Sequence, residues 1–329
     1  MAEKSDGLTM VEAINRALHE AMGEDDAVAV LGQDVGVNGG VFRVTEGLLD
    51  AFGEDRVLDT PLAESGIAGV SIGMAMNGMR PVAEMQFSGF SYYALAQIEN
   101  HAARIRWRTR GAHHVPMVVR MPYGAGVRAL EHHSESREVF YGHMPGLKTV
   151  IPATPSRAHA LLHAAIQDPD PVIFMEPKAV YRQMREPVPD EGDAAELGVS
   201  RVVREGDALT LVSYGAMLHR ALEAARALAS DGIEVQVIDL ETIAPLDIGP
   251  VAMSLQTTGR LLIVNEAPPS YGAAGEVAMR AIEEAFYSLR VPVRRVCGWD
   301  VHVPFFAREQ AYLPSADRIA KAAREMVEV

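Results

Sequence analysis

Short, almost uncharged runs alternate with helix-length segments along nearly the whole of the 329 residues, and this alternation narrows the fold more than any other feature. The runs at 27–31, 81–87, 115–121, 149–151 and 171–175 are apolar almost throughout, as strands covered on both faces must be. Between them lie segments with helix signals. Thr9-Met-Val-Glu12 is a capping box, and Val11, Ile14, Leu18 and Met22 follow at helical spacing. Residues 45–52 and 155–167 also read as helices, and 91–110 as one long helix. Strands separated by such segments pair in parallel, because a parallel neighbour needs a long crossover. The expected fold class is α/β with two domains, each a mainly parallel sheet flanked by helices. The first covers 1–185. The proline-bearing acidic run at 186–196, EPVPDEGDAAE, has no periodicity and opens a linker extending to 198. The second domain, 199–329, repeats the alternation with strands at 209–213, 235–240, 261–266 and 293–296. Its helices are expected at 218–229, 274–288 and from Ser315, a good N-cap, to about Met326.

Residues 59–90, DTPLAESGIAGVSIGMAMNGMRPVAEMQFSGF, are the densest stretch of the chain. Pro61 stops a strand, and Glu64 then falls at the start of a helix nearly free of charge until Arg80. A carboxylate there either serves the helix macrodipole or is a functional acid in a poorly solvated pocket. Gly66, Gly69 and Gly73 recur at helical spacing and would let the helix lie close against neighbouring backbone.

A formal net charge of −14, with the acidic residues scattered, argues against nucleic acid and anionic membranes as partners. Cys297 is the sole cysteine, so no intrachain disulfide or cysteine-based metal cluster can form, and a reducing compartment is expected. MAEKSDGL carries no apolar signal core, and no run approaches the roughly 18 apolar residues of a membrane span. Cytoplasmic location is the expectation.

Other motifs are more open. Glu131-His132-His133-Ser134-Glu135-Ser136 follows a strand end, where α/β sheets present functional groups. It reads as acid/base machinery, as a structural loop or, with less support, as a metal site. Gly124-Ala-Gly126-Val-Arg-Ala129 fits G-x-G-x-x-A on paper, but loop rather than helix follows it. Arg104, Arg106, Arg108 and Arg110 close the long helix, either as a solvated end or as a charged partner surface. Trp107 and Trp299 are assigned structural roles, and Phe90 taken alone reads as core. No phosphate-binding G-x-x-x-x-G-K-[ST] occurs, nor any Gly-Asp-Gly followed downstream by Asn, a pattern that holds Mg²⁺ and diphosphate.

Taken in order, GGVFRVTEGL (39–48), DTPLAE, RPVAEMQF, HHSES, GHMPGLKTVIP (142–152), DPVIFMEPKAVYR (170–182) and TLVSYG resemble the β subunits of thiamine-diphosphate-dependent 2-oxoacid dehydrogenase E1 components. The resemblance covers nearly the whole chain. It implies a transketolase-like pyrimidine-binding domain and a transketolase C-terminal-like domain. Glu64 would hydrogen-bond the aminopyrimidine of thiamine diphosphate, Phe90 would stack on it, and Leu62 and Gln86 would line the site. His133 would orient or protonate intermediates formed on the cofactor. Many relatives hold K⁺ with backbone carbonyls, which by position would be those of Met117, Ala165, Ile166, Asp168 and Asp170. Mg²⁺ would sit mainly on an E1 α subunit, partner in an α₂β₂ heterotetramer, and the product acyl group would pass to the lipoyl group of E2. RPVAEMQF and EPKAVYR lean toward branched-chain enzymes over pyruvate enzymes. Pyruvate or acetoin E1 β subunits and a non-catalytic scaffold of the same fold are the alternatives. Gly89, Ala96 and His302 depart from the family pattern, which bears on packing and partner contacts.

Overall fold

The capping box forms: Thr9 Oγ1 accepts the Glu12 N–H at 3.3 Å while Glu12 Oε2 accepts the Thr9 N–H at 2.7 Å. This start fixes the first helix in a computed structural model that describes residues 7–189 and 195–328. In chain order the first half contains α1 (Met10–Glu24), β1 (Val28–Gly32), α2 (Leu48–Phe52), β2 (Val57–Asp59), α3 (Glu64–Met76), β3 (Arg80–Glu84), α4 (Tyr92–Asn100) and α5 (Ile105–Arg108). Then follow β4 (Val118–Tyr123), α6 (Glu138–Gly142), β5 (Lys148–Val150), α7 (Pro155–Gln167) and β6 (Val172–Pro177). The second half holds β7 (Arg201–Arg204), β8 (Leu209–Ser213), α8 (Ala216–Ala229), β9 (Val235–Asp239), β10 (Thr242–Ala244), α9 (Gly249–Thr258), β11 (Leu261–Val264), α10 (Ala273–Ala285), β12 (Arg294–Val296), α11 (Glu309–Tyr312) and α12 (Ala316–Val327).

Contacts divide the chain into two compact units. The first comprises the described residues of Met1–Tyr123 and Phe140–Leu197. Its strands lie in the order β5-β6-β4-β3-β1-β2, every pair parallel. The β1, β4 and β6 residues are buried throughout, which is why their sequences carry no polar alternation. Helix α7 opens on Thr154, whose side chain accepts the Arg157 N–H, with Pro155 in the first turn.

The second unit is Gly124–Val139 with the described residues of Gly198–Val329. Its sheet runs β12-β11-β8-β9-β7, parallel except for the β7–β9 pair. Ser315 caps α12 by accepting the Arg318 N–H at 3.2 Å.

Four expectations need correction. The long helix over 91–110 breaks at His101 (φ −120°, ψ −69°), and the chain continues through a 3₁₀ turn into α5. The break turns Ala102, Ala103 and Ile105 inward, where Gly146 passes so near the Ala103 carbonyl that no side chain would fit. Trp107, assigned a structural role, is 86% exposed beyond this break. The Gly66, Gly69 and Gly73 face of α3 meets no backbone of another element among the described residues: a Cβ at Gly69 or Gly73 would touch nothing there, and one at Gly66 only the Ala63 methyl. The linker begins later than Glu186, which pairs with Leu8 and receives the Ser156 N–H and hydroxyl; residues 190–194 of the run lie outside the described residues.

Candidate active site

In open parallel sheets the strand carboxyl ends are where functional groups gather. Adjacent strands β2, β1 and β3 end at Asp59, Gly32 and Glu84, and the segments that leave these ends carry Leu62 and Glu64, Asp34, and Gln86 to Phe90. The sequence shapes this edge. Asp59 accepts the Gly36 and Val37 N–H groups at 2.6 and 3.0 Å, pinning the loop after β1. Thr45 Oγ1 donates to the Val35 carbonyl at 2.7 Å inside the same loop.

Glu64 is the first residue of α3, preceded by Ala63, which offers no side-chain cap. It is 8% exposed, and its carboxylate makes no hydrogen bond or ion pair among the described residues. The carboxylate oxygens keep contact with solvent at the α3 N-terminus, a place that favours negative charge. Leu62, just before it, is 68% exposed, an apolar surface offered outward. Gln86 donates from Nε2 to Asp34 Oδ2 at 2.9 Å.

Phe90 is half-buried at the end of an aromatic row. Its ring meets Phe87 edge-on at 5.6 Å, Phe87 meets Phe42 at 5.6 Å, and Phe42 meets Tyr181 at 5.2 Å. Such edge-to-face contacts hold rings in fixed planes. Behind the row lies a charge network that sequence reading missed. Arg120, 1% exposed on β4, donates to Glu84 Oε2 at 2.8 Å and to Glu176 Oε2 at 3.0 Å, and Tyr181 also donates to Glu176 Oε2 at 2.5 Å. Burial pushes the Glu84 carboxyl above the usual range despite Arg120, and burial together with Glu176 pushes the Tyr181 hydroxyl well up. The available signal was an arginine in the middle of an apolar strand, VVRMPY, opposite Glu84 in the next strand.

His133 belongs to the second unit. It ends a single 3₁₀ turn, Glu131–His133, where its N–H bonds the Leu130 carbonyl at 2.9 Å and Ser134 Oγ bonds the same carbonyl at 3.0 Å. Its ring stands edge-on to His132, 6.3 Å between centroids, and His132 Nδ1 lies 3.8 Å from Glu135. The loop is fastened by carboxylates: Glu266 accepts the Ala125 N–H at 2.7 Å, and Glu309 accepts the Arg128 N–H at 2.9 Å. Gly124 is in the left-handed region (φ +82°), and a Cβ there would strike Glu266. The G-x-G-x-x-A pattern thus answers to Glu266 and Glu309 and opens no helix. At the far end of the loop Glu138 is fully buried, receives the Tyr214 hydroxyl at 2.7 Å, and is raised by burial.

The residues assigned to K⁺ gather at the start of β4 and the turn between α7 and β6. The Ile166 carbonyl accepts Arg80 Nη1 at 2.9 Å, and the Met117 carbonyl accepts the Val172 N–H at 2.9 Å. The Ala165 carbonyl has no helical donor four residues on, because Pro169 lacks an N–H. Asp168 pairs with Lys148, and Asp170 with Arg106 at 2.5 Å.

Set against known proteins, residues 6–184 match the transketolase pyrimidine-binding domain and residues 198–319 the transketolase C-terminal domain. The fold is accordingly a pair of transketolase-like domains. A solved structure described as a split gene transketolase, inactive beta4 tetramer, superposes with a TM-score of 0.79 at 22% identity, over 98% of this chain and 99% of that one. The pyruvate dehydrogenase E1 component subunit beta of Bacillus subtilis is 46% identical over 98% of this chain and 99% of its own length. The 3-methyl-2-oxobutanoate dehydrogenase subunit beta of Mycobacterium tuberculosis is 46% identical over 97% of this chain and 92% of its own. The chain belongs to the family of E1 β subunits of the 2-oxoacid dehydrogenases. No helix among the described residues is long and apolar enough to cross a membrane.

Proposed function

We propose that this chain is the pyrimidine-side half of an E1 active site, which with an α subunit decarboxylates a 2-oxo acid, branched-chain by preference, and passes the acyl group to the lipoyl arm of an E2 core. The observation that carries the reading is Glu64: a largely buried residue whose carboxylate, without a partner among the described residues, still reaches solvent at a strand carboxyl edge lined by aromatic residues. That donor set fits the aminopyrimidine of thiamine diphosphate. When bound, thiamine diphosphate supplies the carbanion chemistry and the electron sink for decarboxylation.

The protein's part is placement. Glu64 accepts a hydrogen bond from the protonated pyrimidine ring nitrogen and so biases where the ring's proton rests. Phe90, held in plane by Phe87, offers a stacking face, and Leu62 an apolar wall. Asp34 orients Gln86 beside them. His133 is the general acid–base group on the substrate side, a role typically contributing about 10² to 10⁴ in rate. Mg²⁺ and the diphosphate belong to the α subunit, because this chain lacks the Gly-Asp-Gly…Asn pattern that holds them. K⁺ would use the carbonyls of Met117, Ala165, Ile166, Asp168 and Asp170; those of Met117 and Ile166 each already accept one hydrogen bond, from Val172 and Arg80, and would give the ion their second lone pair.

Assembly with partner subunits is supported by what the chain leaves uncovered. The α3 face of Gly66, Gly69 and Gly73 is open and flanked by exposed Val70 and Met76, and Trp107 stands out among the arginines beyond α4. The location proposed is the cytoplasm. The relatives carry both substrate names, pyruvate more often than 3-methyl-2-oxobutanoate, so the test is a panel of 2-oxo acids offered to the complex reconstituted with its α subunit and E2. A higher kcat/KM for 3-methyl-2-oxobutanoate than for pyruvate is expected. Preference for pyruvate would move the chain to the pyruvate group, and turnover of acetoin alone would overturn the decarboxylase reading.

A further inference from the structure

Helices α1 and α7 pack side by side, and on their common flank three side chains outside the candidate active site converge. His159 and His163 are four residues apart on α7 and so share one face. Both direct Nε2 at a single oxygen of Glu20 on α1, at 2.6 and 3.0 Å. The imidazole rings lie 4.8 Å apart between centroids. One nitrogen from each ring and one Glu20 oxygen all fall within 4.8 Å of one another, the one such group of three among the described residues. His159 is 2% exposed, while His163 and Glu20 reach the surface in part.

We propose that Glu20, His159 and His163 form a binding site for Zn²⁺ or a similar first-row divalent ion, with water in the fourth position, joining α1 to α7. Two imidazoles and one carboxylate are a donor set for zinc, cobalt or nickel, whereas Ca²⁺ and Mg²⁺ take oxygen ligands. The pair at i and i+4 is the spacing by which helices present two histidines to zinc. The arrangement at hand is the proton form of the site, with the imidazoles hydrogen-bonded to the carboxylate. At zinc bond lengths, tetrahedral ligand atoms stand roughly 3.3 Å apart. The ligands must therefore open slightly, and Glu20, a long side chain near the surface, is the arm that moves.

The local charges suit an ion. Burial keeps His159 below the ordinary imidazole range, more than Glu20 raises it, so the ring is neutral at neutral pH and Nε2 turns from donor to metal ligand by a change of tautomer. Burial acts to raise Glu20, but Arg16 and the two imidazoles outweigh it and hold the carboxylate ionised. Arg16 engages the other oxygen, Oε1, at 2.6 Å and leaves Oε2 to the ion. Metal binding would displace protons from the cluster and weaken as pH falls.

The experiment is a Co²⁺ titration of the full chain near neutral pH, followed by visible ligand-field absorption, with displacement by Zn²⁺ and thermal melts in Zn²⁺ against EDTA. The expected result is one ion per chain, an intense low-symmetry band and a higher melting temperature with Zn²⁺. His163→Ala should abolish the band, and Glu20→Gln should weaken binding roughly tenfold or more. The double substitution of the exposed pair His113→Ala and His114→Ala should leave binding unchanged. Folding of each variant is checked by circular dichroism, and the two single variants lie on different helices so that one can stand for the other. Absence of the band in the wild-type chain, or binding indifferent to both Glu20→Gln and His163→Ala, would overturn the site.

Discussion

Glu64 and Arg120 are charged residues in opposite circumstances, the first with its carboxylate open to solvent and the second enclosed. Glu64 has no partner to lose, so Glu64→Gln should leave the denaturation midpoint of the chain nearly unchanged. In the reconstituted complex the same substitution should reduce 2-oxo acid turnover by about 10² or more, the scale of a positioned acid–base group. Full activity of the variant would favour a scaffold that kept the fold and lost the chemistry. Arg120 sits between two carboxylates and a tyrosine that depend on it. Arg120→Met leaves Glu84 and Glu176 buried side by side without a cation, which should cost about 3 to 5 kcal/mol in urea unfolding. Glu64 was legible in the sequence because a proline, a strand end and an uncharged helix frame it. The Arg120 network was not, since its members are far apart in sequence and meet only through strand register.

Elements announced by local chemistry were the readable ones. Helix α1 has its capping box, α7 its threonine and proline, and α12 its serine, and each begins where those residues stand. Elements defined by long-range contact were missed. β7 is a half-exposed antiparallel edge strand, RVVR, without the apolar run that marked the others, and α9 mixes buried and exposed residues with no clear stripe. The 91–110 segment has the composition of one helix, and its break at His101 answers to packing around Ala103 and Gly146. The α1–α7 pair also carries a pH dependence. Burial lowers His159, opposed by Glu20 and assisted by the neighbouring charges of His163 and Arg16, so the fold holds it neutral. Its contribution to stability is complete above about pH 6.5 and is lost as pH falls through that value toward its lowered folded pKa. In metal-free buffer the urea midpoint should drop between about pH 7.5 and about pH 5.5, and His159→Gln should flatten that drop. An unchanged slope in the variant would assign the dependence to other groups.

At the scale of the whole molecule, both α/β domains and their order were legible, because parallel sheets oblige the chain to alternate buried strands with crossover helices. The position of the loop at Gly124–Val139 was not: it interrupts the first domain in sequence yet packs with the second, through carboxylates at Glu266 and Glu309 that no local pattern announces. What the molecule lacks by itself matters as much as what it holds. It offers a carboxylate, an aromatic row and a histidine loop, and no motif for Mg²⁺ and diphosphate. The most direct test is calorimetric titration of thiamine diphosphate with Mg²⁺ into this chain alone and into its mixture with the α subunit. Tight binding in the mixture and none to the lone chain is the predicted result; tight binding by the lone chain, or none in either sample, would contradict it.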